Sequence, residues 1–171
     1  QCVKKGYCNP PWGEYWDDER YINHPVVFVE WEDANSYCDW SGARLPTEAE
    51  WEKAARSVDG RIYPWGDEFD CNKANMNRCV GFSTTVGSYK VDRSPYGLYD
   101  MGGNVFEWVA DWYDEGYYEN SPLQNPLGPD FGEYRVRRGG SWSYSAIIPS
   151  SYSRSQRKGS ELNLGFRCAR S

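Results

Sequence analysis

Histidine occurs once in this chain, at His24, and no two cysteines stand in a CxxC spacing. Those two shortages exclude most transition-metal chemistry at the outset. Zinc sites draw on clustered thiolates and imidazoles, and a two-His-one-carboxylate iron site needs a second imidazole. A Ser-His-Asp arrangement would have to use His24, and no GxSxG turn accompanies it. Gly139-Gly140-Ser141 lacks the flanking glycines of a nucleophile elbow and the length of a phosphate-binding loop. Excess basic charge is missing too: 19 Lys and Arg against 25 Asp and Glu leave a net charge of −6. Nucleic-acid binding by counterion release is therefore not expected. The basic residues 135–138 and 154–158 read instead as solvated faces of strands. No apolar run nears the ~20 residues of a membrane helix, so no membrane insertion is expected. Residue 1 is Gln, as if the start were processed or cut from something longer, and no targeting signal can be read.

Aromatic residues are abundant, at 17% with 9 Trp and 14 Tyr, yet the mean hydropathy is −0.84. Rings with polar edges must supply much of the buried area, which suits an irregular fold whose side chains reach both core and surface. The 17 Gly and 10 Pro make turns frequent and long helices few. A length of 171 residues suits one domain, 1–171. Six cysteines are present. Cys2 with Cys8 and Cys71 with Cys79 look like local disulfides, and Cys38 with Cys168 would be the long-range pair. Such a pattern favours an oxidising, extracellular or cell-surface location; free buried thiols are the competing reading.

Along the chain, HPVVFVEW (24–31) reads as a strand or an extended lead-in. WEDANSYCDWSG has helical spacing, with Trp31, Ala34, Tyr37, Cys38 and Ser41 on one side and Gly42 as the expected cap. PTEAEWEKAAR gives the clearest local signal. Thr47 and Glu50 form a capping box, Trp51, Ala54 and Ala55 face inward, and the acidic start and basic end match the helix dipole. After Gly60 the pattern breaks into turns. NVFEWVADWY, EYRVRRGGSW and GFRCAR are candidate strands, with Val136 facing opposite to its Arg neighbours. The expected class is α+β, with two early helices and a small irregular antiparallel sheet.

HPVVFVEWEDANSYCDWSGARLPTEAEWEKAAR, YPWGDEFD, YGLYDMGGNVFEWVADWY, RVRRGGSW and GFRCAR together resemble the formylglycine-generating-enzyme, or sulfatase-modifying-factor, family. The resemblance implies a C-type-lectin-like fold and covers nearly everything from His24 onward. It also implies an amino-terminal part that is trimmed or divergent. The family's oxidases hold copper with two cysteines downstream of Gly-Gly-Ser. Here the matching positions are Tyr144 and Pro149, and Cu(I) demands sulfur donors. Its sulfoxide synthases hold iron with three histidines, of which this chain has one. Neither copper nor iron is expected, and His24 reads as structural. The resemblance does imply a structural calcium turn in DMGGNVFE, from the side chains of Asp100 and Glu107 and the carbonyls of Gly103 and Val105. Hard oxygen donors suit that ion. The competing reading is a tight turn in which Glu107 caps backbone N–H groups. A second family calcium position maps onto Asn75 and Met76, but Phe82 stands near where an acidic ligand would be needed.

What remains is SYSAIIPSSYS, residues 143–153, between two intact frames. Tyr and Ser are the mixture that binding loops favour, broad contact with adaptable hydrogen bonds. Ile147 and Ile148 are adjacent and cannot both point inward along a strand. One subgroup of the family, the variable proteins of diversity-generating retroelements, randomises this segment at adenines, commonly in Asn codons. Every residue from Ser143 to Ser153 is reachable from an Asn codon by such changes. Where the family often carries an Arg just past Pro149, this chain has Ser150, a departure that would weaken a structural ion pair. The expected function is a noncatalytic ligand-binding or display domain. Its face comprises Trp142, Ser143, Tyr144, Ser145, Ile147, Ile148, Tyr152 and Ser153, and its partner is a protein or other macromolecular surface. The competing readings are a divergent oxidoreductase and a regulatory domain of a larger protein.

Overall fold

The computed structural model describes residues 1–13, 15–143 and 154–170. α1 (Trp31–Trp40) ends at Ser41, and Gly42 just beyond takes φ +72°, a left-handed turn that glycine makes without Cβ strain. Its inward side buries Ala34 and Cys38, whereas Tyr37, on the same predicted stripe, is 41% exposed. α2 (Glu48–Arg56) carries the expected capping box. Thr47 Oγ1 accepts from the Glu50 N–H at 3.2 Å, and the Glu50 carboxylate accepts from the Thr47 N–H at 2.9 Å. Trp51 and Ala55 are buried as expected, and Glu48 is buried beside them.

Four strands form one sheet in the order β3-β2-β1-β4. They are β1 (Phe106–Trp112), β2 (Arg135–Arg138), β3 (Arg154–Arg157) and β4 (Leu164–Phe166). β2 is antiparallel to both β1 and β3, but β4 is parallel to β1, setting Phe106, Glu107 and Trp108 opposite Leu164, Gly165 and Phe166. The sheet is therefore mixed where a wholly antiparallel one was expected. No tight hairpin joins β4 to its neighbour β1; residues 158–163 carry the chain from β3 to the far edge, so nothing imposes a reversal of direction.

HPVVFVEW is an extended lead-in and no ladder strand. Val27 and Val29 are buried, but Phe28 takes φ +58°, which interrupts the pleat. The segment lies against the chain that leads into β4: the Phe28 N–H donates to the Glu161 carbonyl at 3.0 Å. Gly165 has no room for a side chain there, since a Cβ would stand 2.4 Å from the Val26 carbonyl oxygen. Among the described residues three apolar clusters are buried, the smallest being Tyr63, Ala74 and Met76, and the two larger ones fill the core beside the sheet. One joins Ala34, Cys38 and Leu45 to Phe106, Trp108 and Leu164, and the other joins Trp51, Ala55 and Met101 to Val109 and Val136.

The arginines of β2 do not behave as a solvated face. Strand alternation puts Arg138 on the same inward side as Val136, and both are fully buried. Arg138 reaches Glu48 at 3.4 Å and Glu52 at 2.7 Å. Arg135 lies between the rings of Trp31 and Trp112, 3.5 and 3.4 Å from their centroids, and Arg137 pairs with Glu161 at 2.5 Å. All six cysteines are paired as the spacing suggested, Cys2–Cys8, Cys38–Cys168 and Cys71–Cys79. His24 is structural in its contacts: its Nδ1 lies 3.0 Å from Ser83 Oγ and its ring meets Tyr21 edge-on.

Candidate functional site

Of the predicted recognition face, Trp142 and Ser143 are placed by the structure, while Tyr144, Ser145, Ile147, Ile148, Tyr152 and Ser153 lie outside the described residues. The two ends of that stretch are fixed. Arg138 and Arg154 are register partners on β2 and β3, so residues 139–153 connect adjacent antiparallel strands. The root is held from three directions. The Trp142 N–H donates to the Asn104 carbonyl at 2.9 Å, and the Trp142 carbonyl accepts from the Arg78 N–H at 2.6 Å. Asn163 Nδ2 donates to Ser141 Oγ at 3.1 Å and to Ser143 Oγ at 2.7 Å. The Trp142 ring tilts against Phe82, centroids 5.5 Å apart, and Phe82 in turn meets Tyr15 and Tyr21. Trp142 Nε1 is buried and meets no hydrogen-bond partner among the described residues.

Sequence reading missed Arg78, Asn104 and Asn163 in this role. The only available signal was that Asn104 and Asn163 fall inside the motifs GGNVFEW and NLGFRCAR. Arg78 stands in no motif, and its contact spans 64 positions of chain.

The four residues expected to hold calcium do come together. Asp100, Gly103, Val105 and Glu107 all line one cavity of about 390 Å³, which Arg167 shares. Its glycines serve close approach: a Cβ on Gly103 would lie 2.7 Å from the Asn75 carbonyl oxygen, and one on Gly102 would lie 2.7 Å from the Trp65 ring. The left-handed residues of the turn are Asp100 and Asn104, at φ +59° and +68°. Among the described residues Glu107 caps no backbone N–H. It accepts from Trp51 Nε1 at 2.6 Å and from Arg167 through Nε at 2.6 Å and Nη2 at 2.5 Å. Asp100 accepts from the Gly87 N–H at 2.7 Å.

A third acid, not anticipated, completes the neighbourhood. Asp92 is 1% exposed and accepts from the Gly102 N–H at 3.0 Å. Burial, reinforced by the charges of Asp100 and Glu107, pushes its carboxyl up to about 8. Burial also raises the Asp100 carboxyl. With Asp92 held largely protonated at neutral pH, the Asp100 and Glu107 carboxylates face the Arg167 guanidinium, and the charge of Lys90 also acts on Asp100. Among the described residues, no three His, Cys, Asp or Glu side chains converge to hold a metal by themselves. Backbone carbonyls would have to complete the shell, which is the mixture calcium accepts. Carboxylate and backbone oxygens are the donor class that ion takes, and both Glu107 oxygens already accept from Arg167, one of them from Trp51 as well. At the second family position, Asn75 Oδ1 is buried with no donor among the described residues, but the Met76 carbonyl already accepts from the Cys79 N–H at 2.9 Å.

Elsewhere, a groove of about 840 Å³ lies between residues 1–16, α1 and the chain after β4, lined by Trp16, Tyr37 and Phe166. It shares no lining residue with the root of the 143–153 segment.

Lectin-like architecture, the Gly-Gly-Ser-Trp frame and the turn at Asp100 are the marks of one family. Residues 4–171 match the sulfatase-modifying factor enzyme 1-like domain, and the chain belongs to that family. It is 45% identical over 155 residues to the serine/threonine-protein kinase pkn1 of Chlamydia pneumoniae, covering 88% of this chain but 24% of that protein. It is 41% identical over 187 residues to the formylglycine-generating enzyme of Streptomyces coelicolor, covering 98% of this chain and 59% of the enzyme. The chain therefore spans less than two thirds of the length of these relatives. Among solved structures, variable protein 1 of Treponema denticola superposes with a TM-score of 0.76 at 25% identity, covering 92% of this chain and 76% of that one. PvdO of Pseudomonas aeruginosa gives 0.73 at 28% identity, covering 84% of this chain and 60% of that one. Three disulfides accord with an oxidising compartment, and among the described residues no helix is long and apolar enough to cross a membrane.

Proposed function

We propose that this domain is a noncatalytic binding module that displays residues 143–153, with Trp142 at their base, to a protein or other macromolecular surface. The observation that carries this reading is the clamped root. Both ends of the segment are tied to neighbouring strands, and Trp142 and Ser143 are pinned by Asn104, Arg78 and Asn163. A segment anchored in that way can change its side chains without disturbing the core, which is what a display surface requires. The likeness to variable protein 1 of Treponema denticola supports it, as does the reachability of every residue from 143 to 153 from an Asn codon. The location would be extracellular or at the cell surface.

The chemistry of an oxidase finds no purchase in these residues. No cysteine lies between Gly139 and Ser153, and all six cysteines are committed to disulfides. His24 alone cannot form an iron triad. The expected result is that a partner recovered by panning a protein library loses about 100-fold or more in affinity when Tyr144, Ile147 and Tyr152 all become Ala, while the melting temperature stays unchanged. Retained affinity would refute the assignment. Oxygen consumption with cysteine peptides and added copper would restore the oxidoreductase reading. A second reading, a regulatory module within a larger protein, is favoured by the likeness to the chlamydial kinase, of which a domain of this type occupies about a quarter. The upstream coding sequence decides it.

The same proposal includes a structural calcium ion at Asp100, Gly103, Val105 and Glu107. Millimolar calcium, about 100-fold above a micromolar-range dissociation constant, would add roughly 2.7 kcal/mol. For a chain of this size that corresponds to a melting temperature about 5–10 °C higher than in chelator. Asp100→Asn keeps an acceptor for the Gly87 N–H but removes the charge, and should abolish most of the rise. An unchanged melting temperature in the parent protein would dispose of the ion.

A further inference from the structure

We propose that the Cys71–Cys79 disulfide is a thiol–disulfide exchange site, and that opening it releases the root of the 143–153 segment. Two independent observations meet here, accessibility and connection.

Exchange requires a thiolate to approach a sulfur along the S–S axis, so burial protects a bridge. Cys38 and Cys2 are buried in their bridges, at 0% and 2% exposure. Cys71 is the only one of the six cysteines in an exposed position, and its partner Cys79 is half-buried. An external dithiol therefore meets this bridge first.

The loop closed by the bridge is also the one that grips the segment's root. Within it, Asn77 and Arg78 take φ +50° and +62°, two successive left-handed residues that are not glycine. Side chains with a Cβ keep that conformation only where the surroundings enforce it. The enforcement comes from the bridge, from the Cys79 N–H donating to the Met76 carbonyl at 2.9 Å, and from the Asn104 N–H donating to the Asn75 carbonyl at 2.7 Å. So held, Arg78 aims its N–H at the Trp142 carbonyl, 2.6 Å away, and its Nε at the Ser143 carbonyl, 3.5 Å away. Asn104 ties the two halves together, because its own carbonyl accepts from the Trp142 N–H.

The redox step balances with a dithiol as the reductant. Its thiolate attacks Cys71 Sγ, the S–S bond breaks, and Cys79 leaves as a thiolate that takes up a proton. The second thiol of the reagent then displaces Cys71 from the mixed disulfide, yielding two cysteine thiols and the oxidised reagent. With the loop open, residues 77 and 78 relax toward right-handed backbone and the Arg78 N–H leaves Trp142. The consequence for partner binding rests on the proposed display function; the release itself does not.

The test uses the full chain with limiting dithiothreitol, quenched at intervals with iodoacetamide and mapped by peptide mass spectrometry. Hydrogen exchange of peptides covering 76–79 and 140–143 is followed in parallel. Cys71 and Cys79 should be alkylated at least about tenfold faster than the other four cysteines. Exchange at the Arg78 and Trp142 amides should then rise about tenfold while β1 and β2 keep their protection. The double variant Cys71→Ala, Cys79→Ala should reproduce that local exchange without reductant, and Cys2→Ala, Cys8→Ala should not. Earlier opening of another bridge would overturn the proposal. So would opening of this one without a change at Arg78 and Trp142, or an equal rise across the whole sheet. A partner assay unaffected by Tyr144, Ile147 and Tyr152 would count against the display function and leave these readings untouched.

Discussion

Removing the Cys38–Cys168 bridge, as Cys38→Ala with Cys168→Ala, should lower stability by about 5 kcal/mol in urea denaturation, roughly twice the cost of removing Cys71–Cys79. The difference follows from loop length. The first bridge joins residues 130 apart, α1 to the chain just beyond β4, and so constrains nearly all of the unfolded ensemble. The second closes a separation of 8 and is worth about 2.6 kcal/mol on the same entropic reckoning. Packing adds to the contrast: Cys38 belongs to the cluster that unites Ala34, Leu45, Phe106, Trp108 and Leu164. Domains hold about 5–15 kcal/mol in total, so the long-range variant should be marginal at 37 °C while the local variant stays folded. Equal costs, or a larger cost for the short loop, would mean that native-state contacts and not chain entropy set the value of these bridges.

That asymmetry explains how one segment can be loosened without the domain collapsing. The long bridge, the apolar clusters beside the sheet and the strand pairs secure the frame. The short exposed bridge secures the backbone that meets Trp142. The frame and the root at Trp142 are thus held by different constraints, a division that the proposed display function would use.

Much of the frame could be read from sequence because its signals are local. The Thr47–Glu50 box lies within four residues, and α1 shows itself by spacing and a terminal glycine. The cysteine pairing was legible because two pairs were close and the third followed. What escaped was decided by distant chain. Phe28 looks like the centre of a strand, yet it takes a left-handed backbone whose N–H and carbonyl pair with the distant Glu161 and with Trp12. The direction of β4 depends on where residues 158–163 lead, which no alternation encodes. Asp92 carries no motif, and its buried position follows from the fold of the turn around Gly102. The residues that pin Trp142 and Ser143 come from three separated stretches, around positions 78, 104 and 163. No periodicity relates such positions.

Arg138 is the sharpest case, and replacing it should cost nearly as much as the long bridge. Arg138→Ala is expected to destabilise the domain by about 3–5 kcal/mol, since it takes away the guanidinium facing the buried Glu48 carboxylate. Part of the cost is packing, because the Arg138 side chain also lies over the Trp51 ring, its guanidinium carbon 5.4 Å from the centroid. Arg138→Met keeps most of that volume while leaving Glu48 and Glu52 without this cation, so it separates the two contributions. Adding Glu48→Gln to Arg138→Met should recover at least about 1 kcal/mol relative to the sum of the single changes, the sign of direct coupling between the two side chains. Additive losses would mean that Arg138 stabilises through packing alone. The position is encoded in RVRR by strand alternation, which places residue 138 beside the buried Val136. Because the charge favours a solvent-facing reading, the partner that overrides it, Glu48 at the head of α2, has to be supplied by the fold.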